Sequence, residues 1–147
     1  MALLFVDIDN FKQINDTWGH RAGDHVLAEI GSRLNSISRR FDTVARYGGD
    51  EFVLLLTALR ADENLRQIGA RLIRAVSTPI DDVGDGVTLH VSIGAVMSHD
   101  PAADAMSVLE AGDTAMYAAK REGGARLVIY DADVHGPAGR ARPDSHP

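Results

Sequence analysis

Two short acidic clusters could do chemistry in this chain. Asp50 and Glu51 follow a glycine pair in Arg46-Tyr47-Gly48-Gly49-Asp50-Glu51-Phe52, and Asp7 and Asp9 close the apolar run Ala2-Leu3-Leu4-Phe5-Val6. Gly48 and Gly49 supply the backbone freedom of a tight hairpin, and their missing side chains let a bulky ligand lie against the main chain. Asp7 and Asp9 alternate with Ile8, so both acids point to one side of a strand and Ile8 to the other. Carboxylates leaving a buried strand are costly unless they are hydrated, paired or bound to a cation. If strands 2–8 and 52–57 are neighbours, Asp7 and Asp50 converge on one point. Hard oxygen ligands in a chain without cysteine indicate Mg²⁺ or Mn²⁺ rather than zinc. Taken singly, each cluster also reads as an ordinary acidic turn or strand end.

Apolar patterning supplies the elements that hold these acids. Phe52-Val53-Leu54-Leu55-Leu56 is short and β-compatible, which puts Asp50 and Glu51 at the mouth of a buried strand. After Gly23, Asp24 can cap a helix whose face carries Val26, Leu27, Ile30, Leu34 and Ile37. A second helix starts near Asp62 and presents Leu65, Ile68, Leu72 and Val76 before Pro79 stops it. Residues 81–86 make a polar turn. Val87, Leu89, Val91, Ile93, Ala95 and Met97 then alternate in a long strand, with Thr88, His90 and Ser92 on its other face. A helix over 104–121 leads to a closing strand at 126–130. The expected fold class is α/β (α+β): a mixed, mostly antiparallel central sheet flanked by helices. Residues 1–134 form one domain, and 135–147, with three prolines and two glycines, read as a disordered tail. Met106 and Met116 are expected in the core, and Trp18 against the loop before Gly19. His20 and His25 are five apart, not the three or four of a helical metal pair.

Composition narrows the partners. At 147 residues the chain is long enough for one real core. A net charge of −6 argues against coating nucleic acid and gives no anionic-membrane patch. The absence of cysteine removes disulfide and thiolate-zinc frameworks and fits a reducing cytoplasm. The opening apolar run is too short for a signal sequence or a membrane span. The expected location is the cytoplasm, or the cytoplasmic side of a membrane-anchored parent protein.

Five motifs in order give a resemblance to a known family. Asp7-Ile8-Asp9-Asn10-Phe11-Lys12-Gln13-Ile14-Asn15-Asp16, then Gly19-His20 with Gly23-Asp24, then Gly48 to Phe52, then Val91-Ser92-Ile93-Gly94, then Asp113-Thr114-Ala115-Met116-Tyr117-Ala118-Ala119-Lys120, together resemble the GGDEF diguanylate cyclases over roughly residues 2–131. The resemblance implies a sheet like the palm of nucleotide cyclases and polymerases. It also implies condensation of two GTP molecules to cyclic di-GMP with release of pyrophosphate, by two copies of the domain facing each other. It assigns Asp7 and Asp50 side chains, the Ile8 carbonyl and Glu51 to metal, two Mg²⁺ or Mn²⁺ per site, with Asp50 and Glu51 as the catalytic acids. Phe11, Lys12 and Lys120 fall on phosphate, with Gly48 and Gly49 beside the substrate. Asn15 and Asp24 fall on guanine, whose N1–H and N2–H₂ a carboxylate can accept together. Lys12 and Lys120 are the only lysines in the chain, and an arginine-biased composition is the plainer account of that. Arg39 and Asp42 lie at the spacing of the family's product-inhibition site, although an arginine late in a helix is also favoured by the helix dipole.

The sequence departs from the family twice. The helical segment that ordinarily precedes the first strand is missing, which should expose apolar surface. Gly124 stands where the family carries an arginine, with Arg121 and Arg126 as the available substitutes. The competing reading is therefore an impaired module that binds GTP or cyclic di-GMP as a regulatory domain.

Overall fold

Every residue of Ala2–Ile8 is buried, and this strand, β1, takes the centre of the sheet. In the computed structural model, which describes residues 1–59 and 62–135, it is followed by α1 (Phe11–Trp18), α2 (His20–Ile37), β2 (Thr43–Gly48), β3 (Glu51–Leu56), α3 (Asp62–Val76), β4 (Val91–Met97), α4 (Ala105–Arg121), β5 (Leu127–Ile129) and α5 (Ala132–His135). The sheet runs β2-β3-β1-β4-β5, antiparallel except for the β4–β5 pair. The expected α/β class and the pairing of the first strand with the strand after the glycine turn both hold. No helix among the described residues is long and apolar enough to cross a membrane.

Strand alternation divides β1 between two layers. Leu4, Val6 and Ile8 face Leu54, Phe52, Ile93 and Val91 in the main core, which α2 closes with Val26, Ile30 and Leu34 and α3 with Leu65, Leu72 and Val76. Truncating a side chain as enclosed as Leu4 to alanine removes about 2–5 kcal/mol of stability. Leu3, Phe5 and Asp7 face the other way, toward α4. That helix lies directly on β4, because any side chain at Gly94 would overlap the Gly112 carbonyl and the Met116 amide of α4. Gly94 thus sets how closely α4 approaches the sheet. Asp104 caps α4 by accepting from the Ser107 amide at 3.0 Å, and that bond holds its carboxyl below the ordinary range. At the end of α3, Arg33 of α2 donates to the carbonyls of Ala75, Val76, Thr78 and Pro79, which satisfies acceptors a helix end leaves open.

Several expectations change. The long strand expected over 87–97 is regular only from Val91, and all of Val91–Val96 is buried, Ser92 included. After Ile8 one further bond, from the Asp9 amide to the His90 carbonyl at 2.8 Å, extends the ladder; Asn10 then turns the chain at φ 57, so residues before His90 find no partner there. Val87 instead bridges to Ile80, closing the turn that contains Gly84 and Gly86. Asp24 is not a helix cap: α2 begins at His20 after Gly19 at φ 86, and the Gly23 amide already bonds the Gly19 carbonyl. Met116 is buried but Met106 is 58% exposed, on the outer face of α4's first turn. Trp18 is half exposed and packs its indole on Gly84 rather than under Gly19. His135, assigned to the tail, closes α5: its amide bonds the Asp131 carbonyl at 2.8 Å and its ring stacks on Tyr130. The rest of the expected tail, 136–147, lies outside the described residues.

Candidate active site

Asp7 is the second-last residue of a wholly buried strand and is itself only 5% exposed. Its register partners are Glu51 on β3 and Ser92 on β4, all on the α4 face of the sheet. Burial raises the Asp7 carboxyl to about 6; the Lys120 ammonium opposes that rise, and the charges of Asp50 and Glu51 add to it. Lys120, in the last turn of α4, brings Nζ to 2.8 Å from Asp7 Oδ1. This ammonium is the cation partner of a carboxylate otherwise enclosed at the end of a buried strand.

The glycine turn holds the other two acids beside it. Gly49 adopts φ 38, a left-handed conformation that glycine takes without strain, and Arg46 Nε braces the turn on the Gly49 carbonyl at 3.0 Å. A side chain at Gly48 or Gly49 would meet nothing within 4 Å, so the space above the turn is open to a ligand. The Ile8 amide donates to the Asp50 carbonyl at 3.2 Å, which ties the tip of the turn to the end of β1. Asp7, Asp50 and Glu51 therefore share one edge. Their donor atoms are all hard oxygens, which fit a small divalent cation. Among the described residues no three acid, histidine or cysteine side chains already converge into a cage. The edge suits a cation that also takes water and phosphate oxygens, as Mg²⁺ commonly does.

Lys120 borders a cavity of about 330 Å³ together with Asp9, Asn10, His90, Gly123, Gly124 and Ala125. Phe11 and Lys12 open α1 next to it. Asn10 makes no side-chain cap bond, so the helix start keeps amide donors suited to an anion. Of the substitutes for the family's arginine, Arg126 is occupied otherwise: it donates to the Gly124 carbonyl at 3.1 Å and to Glu122 at 3.3 Å. Sequence reasoning gave Asp9 no task and did not single out His90, Ser92 or Ala125 as site residues. The alternation of Asp7 with Asp9 was the available signal for Asp9, and the Val91-Ser92-Ile93-Gly94 motif the one for Ser92; His90 and Ala125 gave none before the fold brought them together.

Asn15 lies at the crossing of α1 and α2, against Gly23. Any side chain at Gly23 would overlap Asn15 Oδ1, so this glycine lets the amide lie against α2, one residue before the exposed Asp24. Arg39 and Asp42 sit elsewhere, at the far end of the β2–β3 hairpin from Gly49. Asp42 there accepts from the Arg39 amide at 2.8 Å and the Thr57 amide at 3.2 Å. Only a cleft of about 20 Å³ lies beside them, with Arg71 on its other wall.

A five-stranded sheet with β1 central, carboxylates at one edge and a lysine on the covering helix defines a nucleotide-cyclase type of domain. The family described as diguanylate cyclase, GGDEF domain, matches residues 1–126, and the chain belongs to it. It is 36% identical over 135 residues to the diguanylate cyclase DosC of Escherichia coli K12, covering 91% of this chain and 29% of that protein. The GGDEF domain of TpbB (YfiN) from Pseudomonas aeruginosa superposes with a TM-score of 0.82 at 37% identity, covering 88% of this chain and 81% of that one. The GGDEF domain of DgcB from Caulobacter crescentus, solved with cyclic di-GMP, gives 0.73 at 29% identity, over 87% and 76%. The chain thus spans under a third of the length of DosC.

Proposed function

We propose that the chain is the catalytic domain of a diguanylate cyclase, joining two GTP molecules into cyclic di-GMP. In each of two steps a 3′-hydroxyl oxygen bonds to the α-phosphorus of the other GTP, the bond to the β-phosphate oxygen breaks, and pyrophosphate leaves. The hydroxyl proton passes to Asp50 or to solvent. Each domain holds one GTP, so the reaction requires a second copy facing the first. The observation that carries this reading is the buried Asp7 carboxylate, paired with Lys120 and on one edge with Asp50 and Glu51.

Asp7, Asp50, Glu51 and the Ile8 carbonyl would hold Mg²⁺ or Mn²⁺, two ions per site. Such ions neutralise phosphate charge and lower the pKa of the attacking hydroxyl. Lys120 pairs with Asp7 without nucleotide and borders the cavity, where its ammonium can pair with a phosphate instead. Phe11 and Lys12 offer amides and an ammonium to the same phosphates. Gly48 and Gly49 leave room for the substrate above the turn. Asn15 and Asp24 read guanine; adenine lacks the paired N1–H and N2–H₂ donors that Asp24 accepts, which selects GTP over ATP. Arg39, aided by Asp42, is the site at which cyclic di-GMP inhibits.

Incubating the purified chain with GTP and Mg²⁺ and resolving the products by chromatography tests this. Cyclic di-GMP and pyrophosphate are expected. Folded protein that binds GTP or cyclic di-GMP but yields no product would instead favour a regulatory binding module.

A further inference from the structure

Asp9 is not among the residues to which the reaction gives a task, yet its carboxylate joins three elements distant in sequence. Oδ1 accepts from the hydroxyl of Ser92, a wholly buried residue of β4, at 2.7 Å. Oδ2 accepts from the Ala125 amide, in the turn between α4 and β5, at 3.0 Å. The same turn passes so close that a side-chain carbon at Gly124 would lie 2.8 Å from Asp9 Oδ2. Gly124 is at φ 72 and Ala125 at φ 53, so the turn holds two consecutive left-handed residues, one of them not a glycine. An alanine in that conformation is strained and needs surrounding contacts to keep it there. The bond from its amide to a carboxylate is such a contact, and bonds to a charged acceptor are about twice as strong as neutral ones. The turn, Asp9 and Lys120 are all walls of the 330 Å³ cavity.

We propose that Asp9 is a positioning residue: anchored by Ser92, it clamps the Gly124-Ala125 turn and so shapes the cavity that receives nucleotide phosphates beside Lys120. The clamp also accounts for Gly124, since a longer residue there displaces the carboxylate that holds the turn. The assignment of the cavity to phosphate rests on the cyclase reading above; the clamp itself does not.

Two measurements on the full chain separate these parts. Amide hydrogen exchange at Ala125, without nucleotide, reports the clamp. Calorimetric titration with an α,β-methylene analogue of GTP plus Mg²⁺, which cannot react at the α-phosphate, reports the cavity. Asp9→Ala should speed Ala125 exchange and weaken analogue binding about tenfold, the size expected for one charge-assisted bond. Asp9→Asn keeps one oxygen for the Ala125 amide and an amide donor for Ser92. It should keep both readouts closer to those of the unaltered chain than Asp9→Ala does, which a metal-ligand role for Asp9 would not allow. Ser92→Ala, which removes the hydroxyl that anchors Oδ1, should give smaller losses in the same direction, and the double variant with Asp9→Ala should be no worse than Asp9→Ala alone, because both act on one chain of contacts.

Unchanged exchange in Asp9→Ala, or additive losses in the double variant, would overturn the clamp. Faster exchange with unchanged analogue affinity would overturn its link to the cavity. If the unaltered chain does not bind the analogue, the cyclase reading and the cavity's assignment fall together, while exchange still decides the clamp.

Discussion

The two ends of the β2–β3 hairpin treat the same side chain in opposite ways. At the Arg39 end, Asp42 accepts from two backbone amides and closes a turn. At the Gly49 end, Asp50 and Glu51 add negative charge beside a buried Asp7 that already sits high at about 6. Asp42 is met by two backbone donors, whereas Asp7 is desolvated and repelled by two neighbouring acids, which the Lys120 ammonium offsets only in part and a divalent cation would offset further. The contrast separates structural acids from chemical ones more sharply than exposure or spacing does.

The strongest way to break this contrast is at Asp50. Asp50→Ala should reduce cyclic di-GMP formation roughly a thousandfold, as loss of a principal electrostatic contact does, while urea unfolding of the metal-free protein at neutral pH shows no loss of stability. Removing that charge relieves Asp7. Unchanged turnover would take Asp50 out of the reaction.

The next effect is a pH slope. The folded protein keeps a proton on Asp7 up to about 6, whereas the unfolded chain releases it near the ordinary 3.8. Between those values the folded state binds more protons, so metal-free stability falls as pH rises, by about 3 kcal/mol across the window. Asp7→Asn should flatten this slope, and Mg²⁺ should offset it at the upper end by favouring the charged carboxylate. Urea titrations at a series of pH values measure both.

Asp42→Ala should do the reverse of Asp50→Ala. It leaves two amides without their acceptor and should remove about 1–2 kcal/mol of stability, read by urea denaturation, with the initial rate of turnover little changed. The smallest structural effect belongs to Arg39→Ala. Stability should shift by under about 0.5 kcal/mol, as for other exposed substitutions, while inhibition by added cyclic di-GMP is relieved and the initial rate is kept. Inhibition that persists unaltered would remove the inhibitory assignment.

Local chemistry made much of this fold readable. The apolar runs marked β1 and β3, the spacing of Leu65, Leu72 and Val76 marked α3, and the alternation about Ile8 put Asp7 on the correct face. The glycine pair marked the turn. Relations across the chain were not readable in that way. Lys120 reaches Asp7 only because Gly94 lets α4 lie on β4, and Asp9 finds Ser92 and Ala125 across separations of 83 and 116 residues. The over-long strand at 87–97 failed for the same reason: alternation records which residues suit a sheet, but a strand also needs a neighbour, and β1 has turned away by Asn10. Asp24 read as a cap because capping chemistry fits it, whereas Gly19, five residues earlier and at positive φ, starts the helix.

The strand order has a consequence for how the molecule is made. β1 is the first strand in the sequence, but its two neighbours are β3 and β4, so its second edge is satisfied only when residues up to Met97 are available. During synthesis an apolar strand with open hydrogen-bonding edges must wait for most of the domain to emerge. Such topologies fold slowly, and their unpaired edges invite association with other chains. The arrangement that finally encloses Asp7 therefore leaves the growing polypeptide dependent on rapid completion, or on a chaperone that covers β1 until its partners appear.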